Sequence, residues 1–441
     1  VTNSNYSLQI INETLGTYPR GFATDTRFAW PLVRADSLVS LNYGKALVEK
    51  NRVPGEIPVY GTNGRCGWHN TPLAKSPGVI LGRKGMGHLG VEWCETDFWV
   101  IDTAYYVSSK TSELDLKFFY YLIKYIGLNH LKDGTSNPSL SRDTFYTQLL
   151  PLPPLPEQKA IAHILGTLDD KIELNREMNQ TLEAMARAIF KSWFVDFDPV
   201  RAKMEGRFPA GMDAATAELF PDEFEESALG MIPKGWKVAT LSESCESIYS
   251  GGTPSTKNLE YWNGNIPWLS SGETRNKFID ITEKTITSLG VANSSTRLVK
   301  SGTTVIASAG QGNTRGQTSL LMIDSYINQS IVALKANPNI ISDMYLFFNL
   351  AQRYQEFRQI SDSHSSRGSL TTKLLAELKI LIPSNEQILL FDKIVKPTIY
   401  KIISNLTESR TLASIRDTLL PKLLSGEIRV KEAENLVSEV M

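Results

Sequence analysis

Cysteine is scarce in this chain. Cys66, Cys94 and Cys245 are its only three among 441 residues, too few and too scattered for a disulfide framework, so a reducing, cytoplasmic setting is expected. Charge of one sign is also missing. Lys and Arg number 46 against 47 Asp and Glu, a formal net charge of -1, which argues against a protein that coats nucleic acid through global charge; any positive surface must be local. No stretch approaches the roughly 20 apolar residues that cross a bilayer. The first residues, Val1-Thr2-Asn3-Ser4-Asn5-Tyr6, lack the basic and then apolar pattern of a secretory leader. A phosphate-binding GxxxxGK[ST] run, HExxH and GxSxG are all absent. The Gly-rich runs Gly82–Gly87 and Gly310–Gly312 fit no nucleotide-binding spacing. Asn137-Pro138-Ser139 and Asn337-Pro338-Asn339 lack the second proline and the aromatic residue of an amino-methyltransferase motif, and are read as turns.

What is present is an ordinary folding composition, 41% hydrophobic and 21% charged, at a length that suggests two or three domains. The strongest signal is an internal repeat. Ile57-Pro58-Val59-Tyr60 resembles Ile266-Pro267-Trp268-Leu269, an offset of 209. Val79-Ile80 matches Val305-Ile306 at 226, Ser139-Leu140 matches Ser369-Leu370 at 230, and Glu157-Gln158 matches Glu386-Gln387 at 229. The order is kept and the offset changes mainly once, as one loop insertion would cause.

Each copy closes on a Pro-bearing segment, Glu-Gln, and a long stripe with steps of three and four. The first stripe is Ile161, Ile164, Leu168, Ile172, Met178, Leu182, Met185 and Ile189. The second is Ile388, Phe391, Val395, Ile399, Ile402, Leu406, Leu412, Ile415, Leu419 and Leu423. This is the period of amphipathic and coiled-coil helices. Pro397 predicts a kink or a late helix start, and Pro421 a kink or stop near Leu420 that Gly426 reinforces. The remainder of each copy alternates short β-branched and aromatic runs (Gly78–Leu81, Phe98–Ile101, Thr303–Ile306) with Gly, Asn and Ser turns, followed by helical patterns around 116–126 and 344–357. The expected fold is therefore α/β, with two mixed α/β domains and two long helices pairing as an antiparallel coiled coil, which would hold the domains at opposite ends. Helices docking elsewhere are the alternative. The expected segments are 1–150, a central helix 151–195, a linker 196–230 with little structure of its own, 231–382, and a distal helix and tail 383–441.

Cys66-x2-His69 and His88-x5-Cys94 raise the question of zinc, against buried thiols and loop histidines. The usual ligand spacings are missing and the second copy has no counterpart, so no metal is expected. The loops of each copy do carry donors suited to DNA. The first offers Arg65, Trp68, His69, Arg83, Lys84, His88 and Arg142, and the second Ser271, Thr274, Arg275, Lys277, Gln311, Asn313, Arg315 and Arg367. Arg and Lys donate to guanine edges and phosphates, and Asn and Gln read adenine. The same residues also describe plain surface turns, and the polar loops 136–142 and 363–370 could touch phosphates or equally cap the helix that follows.

Four segments carry a family resemblance. They are Pro151–Ala162 with Leu168-Asp169-Asp170-Lys171-Ile172, Phe190–Val200, Leu229–Trp236 with its Ile232-Pro233-Lys234-Gly235-Trp236, and Leu419–Ile428. In these the chain resembles the specificity subunit of type I restriction–modification systems. The resemblance implies two target recognition domains, each reading half of a split double-stranded DNA site, and a helix pair that acts as a ruler. It also implies modification (methyltransferase) subunits carrying S-adenosylmethionine and motor–nuclease restriction subunits using ATP and Mg. The chain itself is then non-catalytic and binds no cofactor directly. A coiled-coil scaffold with protein-binding domains, and a stand-alone adenine methyltransferase with cryptic motifs, are the alternatives.

Overall fold

The computed structural model describes residues 30–134, 136–310, 312–364 and 369–438. They form two compact units. One runs up to Asn175 and resumes at Thr407; the other is Arg176–Leu406.

In the first unit the chain opens on Leu32–Arg34, which pairs antiparallel with Leu149–Pro151 and so ties the ends of the globular part together. Between them lies a four-stranded antiparallel sheet in the order Val39–Tyr43, Ala104–Ser109, Gly78–Gly82, Val91–Cys94. The Gly78–Gly82 strand is buried along its whole length, as expected of an unbroken Val-Ile-Leu run between two neighbours. A three-stranded sheet holds Gly64–His69, Ile57–Gly61 and Trp99–Val100, the last two parallel. Helix Leu116–Ile126 is capped by Asp115, whose carboxylate accepts the Phe118 N–H at 2.8 Å. It buries Phe118, Phe119, Tyr121 and Leu122 against Val79, Leu81 and Tyr105.

The second unit repeats this plan. Cys245–Ser250, Ile331–Ala336, Thr304–Ala307, Thr318–Leu321 and Phe278–Ile279 form one sheet; Lys284–Ile286, Trp262–Leu269, Ser325–Ile327 and Arg297–Val299 form the other. The parallel pairing of Val59 with Trp99 recurs as Trp268 with Tyr326. The expected single insertion is in fact two. Gly67 and Lys284 oppose Val59 and Trp268 respectively, an offset of 217. About half of the extra length therefore sits in the hairpin turn, which adds strand Phe278–Ile279. The rest precedes Thr304 and holds helix Ser288–Ala292 and strand Arg297–Val299. The helical pattern around 344–357 is two helices, Asp343–Ala351 and Tyr354–His364.

The long helices are Leu155–Phe194, 40 residues, and Asn385–Ser425, 41 residues, each about 60 Å at 1.5 Å per residue. Their paired glutamines explain the Glu-Gln repeat. Gln158 accepts the Asp115 N–H and donates to the Pro153 and Glu113 carbonyls; Gln387 accepts the Ser384 N–H and donates to the Leu219 carbonyl. Pro397 does not delay the start of the distal helix, which begins at Asn385, so the late start expected there is not seen. A proline inside a helix costs about 3 kcal/mol, but its neighbours Val395 and Ile399 are anchored in the core, and tertiary burial outweighs that cost. Pro421 is also helical, and the stop comes at Gly426, with φ 76°.

The helices run antiparallel within each unit. In the first unit Asp169 pairs with Arg416 and Lys171 with Glu408. Ile161, Ile164, Leu168 and Ile415 are buried there, with Ile172 packed against them. In the second unit Ile399 and Ile402 are buried, with Leu182, Ile189 and Leu406 partly so. The middle of the stripe departs from the apolar reading. Met185 is exposed, and the inward positions are amides: Asn175 and Asn405 are 1% and 0% exposed. Asn175 donates to Glu408 at 2.9 Å, and Asn405 donates to the Asn179 carbonyl oxygen at 2.8 Å.

The segment expected to be an unstructured linker is folded. It contains helices Asp198–Met204 and Ala214–Glu218 and a hairpin, Phe224–Ser227 with Gly230–Pro233. Val200, Phe220 and Ile232 are buried in the core of the second unit. Its acidic and Gly/Pro composition concealed the aromatic anchors: Trp193 meets Phe220 at 5.3 Å, and Phe197 meets Trp236 at 5.6 Å.

Candidate nucleic-acid interface

Three loops of the first unit meet at one place. The Thr62 hydroxyl donates to the Lys84 carbonyl at 2.7 Å, and the Gly90 N–H donates to the Thr62 carbonyl at 2.8 Å. The Gly85 N–H reaches the Pro138 carbonyl at 3.1 Å, and the Leu140 N–H reaches the Arg83 carbonyl at 2.8 Å. Gly82 permits this approach, because a Cβ there would lie 2.3 Å from the Thr62 carbonyl oxygen. The fold thereby gathers Arg83, Lys84, His88 and Arg142. It adds Lys132, whose ammonium donates to the Gly87 carbonyl at 2.8 Å, and Asn129, which bonds His88. Neither is singled out by sequence, since their spacing to the other loops is set by the sheet.

Arg65 and Trp68 sit on the adjacent hairpin strand. The register shifts by one residue between Val59 and Tyr60, a bulge that turns both onto one face. The Arg65 guanidinium lies 4.6 Å from the Trp68 ring, which is 48% exposed. His69 points the other way: its Nδ1 accepts the Val53 N–H at 3.0 Å, and its ring meets Trp99 edge-on at 5.4 Å. The four zinc candidates do not converge. Cys66 lies beside Arg52, His88 beside Asn129, and Cys94 donates to the Thr96 carbonyl. Among the described residues there is no group of three metal-binding side chains.

In the second unit the Ser271–Arg275 turn and the loop before Thr318 adjoin, with Thr274 donating to the Gln317 side chain at 3.4 Å. Thr274 is fully buried and Ser271 half-buried. Arg275 is ion-paired with Glu283, and Arg315 with Asp362. Asn313 is exposed, and its carbonyl accepts the Tyr354 hydroxyl at 3.0 Å. Gln311 and Arg367 lie outside the described residues.

Lys277 turns toward the long helix instead, lining a cavity of about 160 Å³ with Glu183, Arg187 and Phe190. Burial lowers its pKa below the ordinary lysine value, against the pull of Glu183. The folded state then binds fewer protons than the unfolded chain between the two pKa values, so wild-type stability rises with pH across that window. Lys277→Met is expected to be the more stable protein at pH 7, with its advantage shrinking toward pH 10; urea midpoints at the two pH values measure this.

Among the described residues no helix is long and apolar enough to cross a membrane. The family model described as the type I restriction modification DNA specificity domain matches twice, over residues 29–184 and 233–419. The chain is 28% identical over 381 residues to the type I restriction enzyme HindI specificity subunit of Haemophilus influenzae, covering 76% of this chain and 82% of the relative. It is 25% identical to the MjaIX specificity subunit of Methanocaldococcus jannaschii, covering 72% and 70%. The crystal structure of a type I restriction–modification S subunit from M. genitalium shares the fold, with TM-score 0.61 and 18% identity over 91% of this chain and 98% of that one. With more than half of its length matched in two copies, the chain belongs to the type I restriction–modification DNA specificity family.

Proposed function

We propose that this chain is the DNA-recognition and assembly subunit of a type I restriction–modification enzyme, reading a bipartite double-stranded site with one half-site per mixed α/β domain. The observation that carries this reading is the duplication itself. One scaffold occurs twice, with matching strand pairings and caps, while the loops it presents carry different polar side chains. A single contiguous site has no need of two such readers. The helix pair is the spacer between the half-sites and the surface on which modification subunits assemble, with motor–nuclease subunits joining them in the cytoplasm. The chain performs no chemistry of its own. S-adenosylmethionine, ATP and Mg belong to the partner subunits, in keeping with a sequence that carries no GxxxxGK[ST], HExxH or GxSxG run. Within the recognition loops, Arg65, Trp68, Arg83, Lys84, His88 and Arg142 serve the first half-site; Ser271, Arg275 and Asn313 serve the second, with Arg275 exchanging Glu283 for DNA, while Arg315 is buried against Asp362 and supports the loop instead.

Methylome sequencing of cells carrying this chain with its modification subunit tests the proposal. The expected result is one motif of two short defined blocks separated by a fixed unread gap. A contiguous motif, or methylation without sequence preference, rejects it.

A further inference from the structure

Two guanidinium groups in the first unit share one aromatic ring. Arg142 lies 4.2 Å and Arg83 4.7 Å from the centre of the Tyr43 ring, and Arg83 is also 5.5 Å from Tyr105. The two tyrosine rings are 5.2 Å apart. Each arginine is also pinned by a backbone carbonyl, Arg83 by Asp102 at 3.0 Å and Arg142 by Leu41 at 3.4 Å. Tyr43 is 46% exposed. Among the described residues neither guanidinium is ion-paired with a carboxylate, unlike Arg275, Arg315, Arg353 and Arg416. Burial opposes ionisation of the Tyr43 phenol, yet its polar neighbours Tyr105 and Arg142 and the two positive charges bring its pKa below the ordinary value.

Two like charges converging without a counter-charge do not stabilise a fold, and the second copy shows that the fold does not require them. The Leu140 N–H donates to the Arg83 carbonyl just as the Leu370 N–H donates to the Ser308 carbonyl, and the Arg83 and Ser308 N–H groups donate in turn to the Thr103 and Ser330 carbonyls, so Ser308 is the counterpart of Arg83 and the match of Val79-Ile80 with Val305-Ile306 is one residue out of register. Ser141 and Thr371 are equivalent helix caps, which matches Arg142 with Thr372. Gly44 and Gly251 make the same close approach, a Cβ at either falling 2.1 or 2.0 Å from a carbonyl oxygen, which matches Tyr43 with Ser250. The scaffold is repeated at all three points, while tyrosine and two arginines in one copy stand against Ser250, Ser308 and Thr372 in the other.

We infer that Arg83 and Arg142, oriented by the Tyr43 platform, read two guanines of the half-site bound by the first domain. A guanidinium held by one carbonyl and stacked on a ring keeps a two-donor edge in a fixed plane, the geometry that matches guanine O6 and N7. A phosphate clamp is the competing use of the same charges, but phosphates are common to both half-sites and would favour keeping the arginines in both copies. Tyr43 is a positioning residue here, since both arginines already occupy its ring.

The inference rests on the bipartite-site reading, and methylome sequencing separates the two. A wild-type pattern with no bipartite motif rejects that reading; a bipartite motif lacking guanine in both half-sites rejects only the assignment. With a guanine-containing half-site in hand, Arg83→Ala and Arg142→Ala are each expected to relax one guanine position by about 5- to 100-fold, leaving the other half-site intact. Tyr43→Leu is expected to relax both positions and Tyr43→Phe neither, because the ring is what orients the arginines. Arg83→Lys and Arg142→Lys keep the charge, lose the fork, and should relax the same positions. Uniform weakening on all sequences with a shallower salt dependence identifies phosphate contacts and overturns the assignment. An unchanged motif overturns it too, as does loss of all methylation in the Lys and Ala variants alike, which would make the arginines a folding requirement.

Discussion

Phe391→Ala is expected to lower the stability of the Arg176–Leu406 unit by about 3–5 kcal/mol, the range for truncating a buried phenylalanine without collapse of the hole. Phe391 is fully buried on the distal helix. Its ring meets Phe190 at 5.5 Å, Phe194 at 5.4 Å and Trp193 at 6.4 Å on the other long helix, and Phe348 at 5.6 Å on the domain helix Asp343–Ala351. Three helices therefore lose their common contact at once, and rigid rings on three sides leave little room for relaxation. Aromatic edge-to-face pairs add roughly 0.5–1.5 kcal/mol each beyond area burial. Hydrogen exchange along strand Ile331–Ala336 should accelerate in the variant, whereas strand Ala104–Ser109 of the other unit should be unaffected. Phe391→Leu, which keeps most of the volume, should lose less than half as much.

Much of this arrangement is legible in the residue pattern, because core-facing periodicity and capping are local signals. Leu116–Ile126 is a helix where the pattern places one, and both long stripes are helices, ending at Phe194 and at the glycine after Ser425. Where the reading failed, the deciding contact lies far along the chain. Phe197, Phe220 and Phe224 are diluted among acids and glycines, yet each finds an apolar neighbour in the second unit. Pro397 looks like a helix breaker until Val395 and Ile399 are known to be buried. Asn175, which the apolar stripe passes over, is buried beside a partner, Glu408, that is 233 residues away. The candidate site was half legible. Arg83 and Arg142 belong to recognisable polar loops, but Tyr43 joins them only through the sheet that brings residues 43, 83, 105 and 142 together.

Gly251→Ala is expected to cost roughly 3 kcal/mol or more, at the upper end of overpacking penalties. An added Cβ would lie 2.0 Å from the Ile327 carbonyl oxygen and 2.7 Å from its carbon. Those atoms belong to the backbone of a strand paired on both sides, so no rotamer change relieves the clash, and strand Ser325–Ile327 or the turn after Ser250 must move. Gly44→Ala should do the same in the first unit, where the Cβ would meet the Ile101 carbonyl oxygen at 2.1 Å. Gly272→Ala is the control. Its nearest neighbours would be 4.0 Å away, and its effect should stay within about 0.5 kcal/mol. Urea denaturation of the three variants ranks them, and equal midpoints for Gly251→Ala and Gly272→Ala would show that the close approach is not tight.

The amides along the helix seam have a consequence for partner choice. A seam of leucines alone tolerates sliding by a heptad and accepts the matching helix of another chain nearly as well as its own. Asn175 meets Glu408 and Asn179 meets Asn405 at only one alignment. Any slipped pairing would leave several amides facing apolar side chains, at about 1–3 kcal/mol for each unsatisfied group. Two copies made side by side in a cell thus have a reason to close on themselves before they exchange helices, and newly made chains are sorted by alignment rather than by affinity.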